Sequence, residues 1–174
     1  MLNLKILNLT HRGIKLLYVN TLDFENDKSN DENKKLMITF THYLEFDTKG
    51  EIDIINLTND LEDLVNASGV KNGMLIANCI GSTGAITTIE FEPRVLEDFR
   101  KILQKLVPKG AGYRHDEIDS NAHSHLRASL IGPSVAIAIS KGKLQLGIWQ
   151  QVVFVDLDVR PRSRRVAVSI IGKE

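Results

Sequence analysis

Three of the chain's five histidines, His115, His123 and His125, fall within eleven residues, and Asp116, Glu117 and Asp119 lie among them. Neutral imidazoles and carboxylates are the side chains that bind zinc-like and other divalent ions, and imidazole is also the usual acid or base near neutral pH. Spacing narrows the set. The sequence predicts a helix over 120–130, on which His123 and His125 stand about 200° apart around the axis, so a regular helix cannot aim both into one site. Asn121 and His125 share a face, as do Asp119 and His123. The competing reading is that these polar residues cap and solvate a helix start. No tight metal motif of the His-Glu-x-x-His kind is present.

Two further groups have chemical potential. Gly81-Ser82-Thr83-Gly84 offers hydroxyls and backbone amides that can hold phosphate oxygens, although its spacing is not that of a P-loop. The plainer alternative is a hairpin turn whose hydroxyls bond their own backbone. Glu90, at the end of the following strand, is a candidate base or metal partner, or simply an exposed carboxylate. Arg160-Pro161-Arg162-Ser163-Arg164-Arg165 places four arginines in six residues. Planar guanidinium groups grip phosphate bidentately, but such a run also serves as a solvated turn or as a source of salt bridges to neighbouring subunits.

These groups need elements to position them. Residues 36–46 read as a strand closed by a turn at Lys49-Gly50. Thr58 is expected to cap a helix that buries Leu61, Leu64 and Val65 and ends at Gly69. Strands over 74–80 and 85–91 flank the Ser82-Thr83 turn. Pro93 opens a second helix with Leu96, Phe99, Leu103 and Leu106 as its buried stripe, and Pro108-Lys109-Gly110 stops it. The third helix covers 120–130, and strands follow over 135–139, 144–157 and 165–171. Strands and helices mix without a βαβ rhythm, which predicts an α+β fold with a mixed or antiparallel sheet and packed helices. Residues 23–35 are a polar run with one aromatic residue, read as a linker. The chain therefore divides into an N-terminal extension and linker, 1–35, and a compact domain, 36–174. In the extension, Ile14, Leu16, Leu17 and Val19 form either an added strand or part of a dispensable piece.

Bulk properties exclude several classes. A chain of 174 residues suits one domain with a real core. Lys+Arg and Asp+Glu number 22 each, so no global field draws in nucleic acid or an anionic membrane. Cys79 is the single cysteine, which rules out an intramolecular disulfide and a Cys-rich zinc site. No apolar run is long enough to span a membrane. Lys5, His11, Arg12 and Lys15 interrupt the N-terminus, which lacks a signal-peptide core, so a cytoplasmic protein is expected.

The run from Ser134 to Val152, with Ser134, Ile137, Ile139, Gly142, Gly147, Trp149 and Gln150 in order, resembles the signature of the YjbQ family, described as secondary thiamine-phosphate synthases. Tyr113-x-His115, Asp119-x-Asn121, Ser124-His125-Leu126 and Asp156-x-Asp158 with Arg162, Arg164 and Arg165 are similar too. Ile148 departs where Thr is usual, and Gly81-Ser82-Thr83 stands where many members carry His-Thr-Thr. The resemblance implies an α+β homotrimer and a weak transferase activity joining a pyrimidine diphosphate to a thiazole phosphate. It also implies a divalent metal, zinc or magnesium, held by His115 and His125; either His123 replaces the absent histidine as an auxiliary ligand, or Ser82 and Thr83 bind phosphate without it. In that scheme Glu90 orients the metal or acts as base, while Ser82, Thr83, Asn121, Arg162 and Arg164 meet phosphate. The alternative is a trimeric protein that binds metal or a small phosphorylated ligand without catalysis.

Overall fold

The structure, a computed structural model, describes residues 10–11, 14–20 and 37–174. In chain order the elements are β1 (Thr10–His11), β2 (Ile14–Asn20), β3 (Ile38–Asp47), β4 (Asp53–Asn56), α1 (Thr58–Ser68), β5 (Asn72–Cys79) and β6 (Gly84–Ile89). They continue with α2 (Pro93–Leu106), a 3₁₀ turn (Arg114–Glu117), α3 (Ala122–Ile131), β7 (Ser134–Ser140), β8 (Lys143–Leu144), β9 (Gln151–Asp156) and β10 (Ser163–Lys173). Seven strands form one sheet in the order β1-β2-β3-β10-β5-β7-β8, and three form a second in the order β4-β9-β6. Every pairing is antiparallel, which settles the expected α+β fold on the antiparallel side. The strand over Ile14–Asn20 is real and lies along β3, from Lys15 opposite Glu45 to Asn20 opposite Phe40. The expected linker, 23–35, lies outside the described residues.

The small sheet is sandwiched. β9 sends Val152 and Phe154 into a core shared with the large sheet, where Leu44, Leu75, Val168 and Ile170 meet Leu61 and Leu64 of α1. Its alternate residues, Val153 and Val155, enter a second core with Leu96 and Leu103 of α2 and Ala128 of α3. A strand buried on both faces has little polar alternation, so the run Val152-Val153-Phe154-Val155 reads as continuously apolar.

Several sequence expectations need correction. The strand predicted over 144–157 is two strands in different sheets, because the Gly147–Gln150 turn carries the chain across; Gly147 N–H donates to Gln150 Oε1 at 3.0 Å. Likewise β5 and β6 are not a hairpin: residues 80–83 cross from the large sheet to the small one. Thr58 is not the helix cap. Its N–H donates to Asn56 Oδ1 (2.9 Å), and its hydroxyl accepts from Val152 N–H (2.9 Å), stitching the start of α1 to β9. Gly69 does end α1, at a left-handed φ of 74°. Leu106 is 63% exposed, and Val107 takes the buried place expected for it. Finally, α3 begins at Ala122 rather than Ser120.

Candidate functional site

The end of the small sheet where Gly84 lies opposite Asp156 gathers three segments: residues 81–83, the turn from β9 to β10, and the entry to α3. That entry is built by acids. Asp116, in the 3₁₀ turn, accepts the Ala122 N–H at 3.0 Å and satisfies one of the free donors at the start of α3. Asp119 accepts from Asn121 Nδ2 at 2.8 Å. Both carboxylates are thereby spent on holding the loop.

His115 and His125 come together, with ring centroids 5.1 Å apart and planes at 87°. Their hydrogen bonds fix which nitrogen of each neutral ring carries the proton. Asn121 turns its amide nitrogen to Asp119, so its oxygen faces His115 Nε2 at 3.1 Å and that nitrogen must be the N–H. His125 Nδ1 lies 3.2 Å from the Ser82 carbonyl, which can only accept, so here Nδ1 carries the proton. The lone pairs are left on His115 Nδ1 and His125 Nε2, opposite positions on the two rings.

His123, two residues from His125, does not join them. It is fully buried, with Nε2 3.4 Å from Glu51 Oε1, and Arg127 Nη1 donates to the same oxygen at 2.7 Å. Burial pushes this imidazole toward its neutral form. Nearby Glu51 opposes that, and the positive Arg127 and Lys109 reinforce it. Glu51 itself is raised by burial but held below the usual carboxylate range by the Arg127 hydrogen bond and the charges of His123, Arg127 and Lys109. Nothing in the sequence around Glu51 announces this pairing. Glu90 also stands apart: it is exposed and lies beyond the far end of β6, on the order of 20 Å from Ser82 at the rise of an extended strand. Among the described residues, no group of three or more His, Cys, Asp or Glu is arranged to hold a metal ion.

The residues expected to meet phosphate are mostly engaged with one another. Arg164 is buried, donates from Nε to Asp156 at 3.1 Å, and pairs through Nη2 with the other oxygen of that carboxylate. Nη2 also reaches Thr83 Oγ1 at 3.1 Å. Thr83 donates its hydroxyl to Asp158 Oδ2 (2.9 Å), which also accepts from Arg162 Nε (2.9 Å). Burial raises Asp158, but the bonds from Arg162 and Thr83 and the charges of Arg162 and Arg164 outweigh it and keep the carboxyl low. Arg165 pairs with Glu45, its Nε 2.7 Å from Oε1, so three of the four clustered arginines are balanced within the chain. Asn121 is buried and orients His115. Ser82 alone of the proposed phosphate contacts has an exposed, uncommitted side chain.

No helix among the described residues is long and apolar enough to cross a membrane. The model of the family described as "UPF0047 protein YjbQ-like" matches residues 42–173. A UPF0047 protein of Methanothermobacter thermautotrophicus is 39% identical over 137 residues, 79% of this chain and 95% of the relative. One from Archaeoglobus fulgidus is 40% identical over 71% of this chain and 95% of its own length. Among solved structures, a YbjQ-like protein of unknown function from Sulfolobus solfataricus superposes with a TM-score of 0.72 at 28% identity, covering 78% of this chain and 99% of the other. A YjbQ/UPF0047-family protein from Clostridium acetobutylicum gives 0.66 at 40% identity, covering 72% and 98%. The His115–His125 pair, the acids that build its loop and the arginine network beside it all fall inside the matched span, and the chain belongs to the UPF0047 YjbQ-like family.

Proposed function

We propose that the His115–His125 pair is the centre of a site for a phosphorylated small molecule and a divalent ion, completed at a boundary between copies of the chain in a cytoplasmic homotrimer. The observation that supports it most is the opposed hydrogen bonding of the two rings, which leaves one lone pair on each imidazole beside the exposed Ser82. Catalytic zinc takes three protein ligands and the described residues bring together two imidazoles, so zinc does not fit them alone, and magnesium, which prefers oxygen donors, fits them less well. A donor from a second copy, or the ligand's own phosphate oxygens, has to complete the set.

The reaction implied by the family resemblance is a weak transfer that makes a thiamine phosphate. The carbon–oxygen bond to diphosphate breaks at the pyrimidine's benzylic-type carbon, and a carbon–nitrogen bond forms to the thiazole phosphate. In this reading His115 and His125 would hold the ion, which would supply positive charge to the leaving diphosphate, and Ser82 adds a hydroxyl donor. One observation favours the second reading, binding without turnover: Arg162 and Arg164 already neutralise Asp158 and Asp156, so neither of these two is free to clamp the departing charge. The discriminating experiment incubates the full chain with both precursors, with and without added zinc or magnesium. Product formed only with the ion supports the transferase. Precursor binding by calorimetry without product supports the second reading, and neither binding nor product removes the site.

A further inference from the structure

We propose that Thr83, Asp158 and Arg164 are positioning residues that lock the crossover between the two sheets, present the Ser82 carbonyl to His125, and thereby hold that imidazole in its Nδ1–H tautomer. This inference rests on His125 belonging to the functional centre, and it gives the arginine run a different task from gripping phosphate.

The crossover has little to hold it in place by itself. Residues 81–83 join strands in different sheets and belong to neither ladder, and Gly81 leaves the backbone before Ser82 free. Ser82 contributes its carbonyl to His125 while its side chain is exposed, so what places that oxygen must lie next door. Thr83 is the anchor. Its hydroxyl donates to Asp158 Oδ2 at 2.9 Å and accepts from Arg164 Nη2 at 3.1 Å. Its carbonyl accepts from Leu157 N–H at 2.9 Å and from Arg164 Nη2 at 3.4 Å. Arg164 is fixed in turn by two nitrogens on the Asp156 carboxylate. On the other side Gly84 is wedged in place, since a Cβ there would lie 2.7 Å from the Phe154 ring and 2.8 Å from Cys79 Sγ.

The lock is built from buried charge. Asp158 Oδ1 is sealed from solvent with no hydrogen-bond partner among the described residues, although an unmet buried acceptor is destabilising. A turn needed only to connect two strands would gain nothing from such an arrangement. A turn that must hold one carbonyl in a fixed place against an imidazole does gain, because free histidine favours the other tautomer. With the carbonyl held, His125 offers Nε2 as its lone pair; with the carbonyl displaced, the ring reverts and offers Nδ1, which faces Ser82 rather than the site.

The test reads the tautomer directly. The full, metal-free chain is labelled with ¹⁵N-histidine, and ring-nitrogen shifts are recorded at about pH 8, above the ordinary histidine range. The His125 signals are assigned by their loss in His125→Gln. Wild type should show the Nδ1–H form. Thr83→Val, which keeps the shape and removes the hydroxyl, should lower the ratio of Nδ1–H to Nε2–H by about fivefold, the worth of one net hydrogen bond. Thr83→Ser should restore it, and His115 should be unmoved in both. A wild-type His125 in the Nε2–H form overturns the proposal however the variants fold, and so does an unchanged ratio in Thr83→Val. Arg164→Lys is the second variant if Thr83→Val fails to fold, with the same expected change and the same overturning result. Because no ligand is present, a failed precursor or metal assay sinks the functional reading without touching this measurement, and the converse holds.

Discussion

His42 and His123 are both sealed from solvent, and burial pushes both imidazoles toward the neutral form, His42 from 6.5 to about 4. The unfolded chain takes up these protons at the ordinary value while the folded chain refuses them. Stability is therefore greatest above about pH 6.5 and is lost as the pH falls toward 4. Each tenfold change in proton affinity is worth about 1.4 kcal/mol, so His42 alone accounts for on the order of 3 kcal/mol across that window. Urea titrations at pH 7 and pH 4.5 should show this loss, and His42→Leu should flatten it; an equally steep decline in the variant places the effect elsewhere. The site histidines behave differently under mutation. His115→Ala and His125→Ala should abolish divalent-ion binding by elemental analysis. His123→Ala should keep it and lower Tm instead, because it opens a cavity beside the Glu51–Arg127 pair. Loss of ion binding in His123→Ala would return that residue to the site. The sequence showed the cluster and the incompatibility of His123 with His125 on one helix face. It did not show that Asp116 and Asp119 are consumed by the loop, because a carboxylate beside a histidine reads the same whether it binds metal or a backbone N–H.

Strand pairing across the large sheet depends on close backbone approach where Gly73 lies opposite Gly172. A Cβ on Gly73 would stand 2.1 Å from the Ile171 carbonyl oxygen, and one on Gly172 would stand 2.4 Å from that of Asn72. Both obstacles are backbone, so neither can swing aside. Gly172→Ala should destabilise by about 1–3 kcal/mol, the usual range for overpacking, measured as a change in the urea midpoint. A neutral substitution would mean that the strand end frays freely. The same sheet shows what sequence patterns can reveal. The elements with clear punctuation were legible: α1 stops at Gly69, α2 starts at Pro93, and β3 and β10 alternate cleanly. Crossings between sheets were not, because the Gly-containing turns at 81–84 and 147–150 carry the same residues whether the chain folds back in one sheet or passes to another. β4, four residues long, was too short to register as a strand.

At the scale of the molecule, β2 covers the edge of β3, which would otherwise present unpaired donors and acceptors. The family model spans only 42–173, so deleting residues 1–35 should leave a folded domain of unchanged oligomer size. Its Tm should fall by about 2–4 °C for each kcal/mol of pairing lost. An unchanged Tm makes the extension an appendage, and failure to fold overturns a boundary at residue 35. Light scattering of the full chain should give three times the 19.5 kDa chain mass; a monomer at micromolar concentration removes the shared-site reading. The order of strands also bears on how the protein is made. β10 follows every other described strand along the chain, yet it lies between β3 and β5, with Ile38 meeting Gly172 and Asn72 meeting Lys173. During translation the facing edges of β3 and β5 must wait for a partner until β10, Ser163–Lys173, emerges. The large sheet therefore closes only after β10 has emerged from the ribosome, and until then its inner edges are open to chaperones and to other nascent chains. Truncation before Ser163 would remove the middle of the sheet rather than its margin.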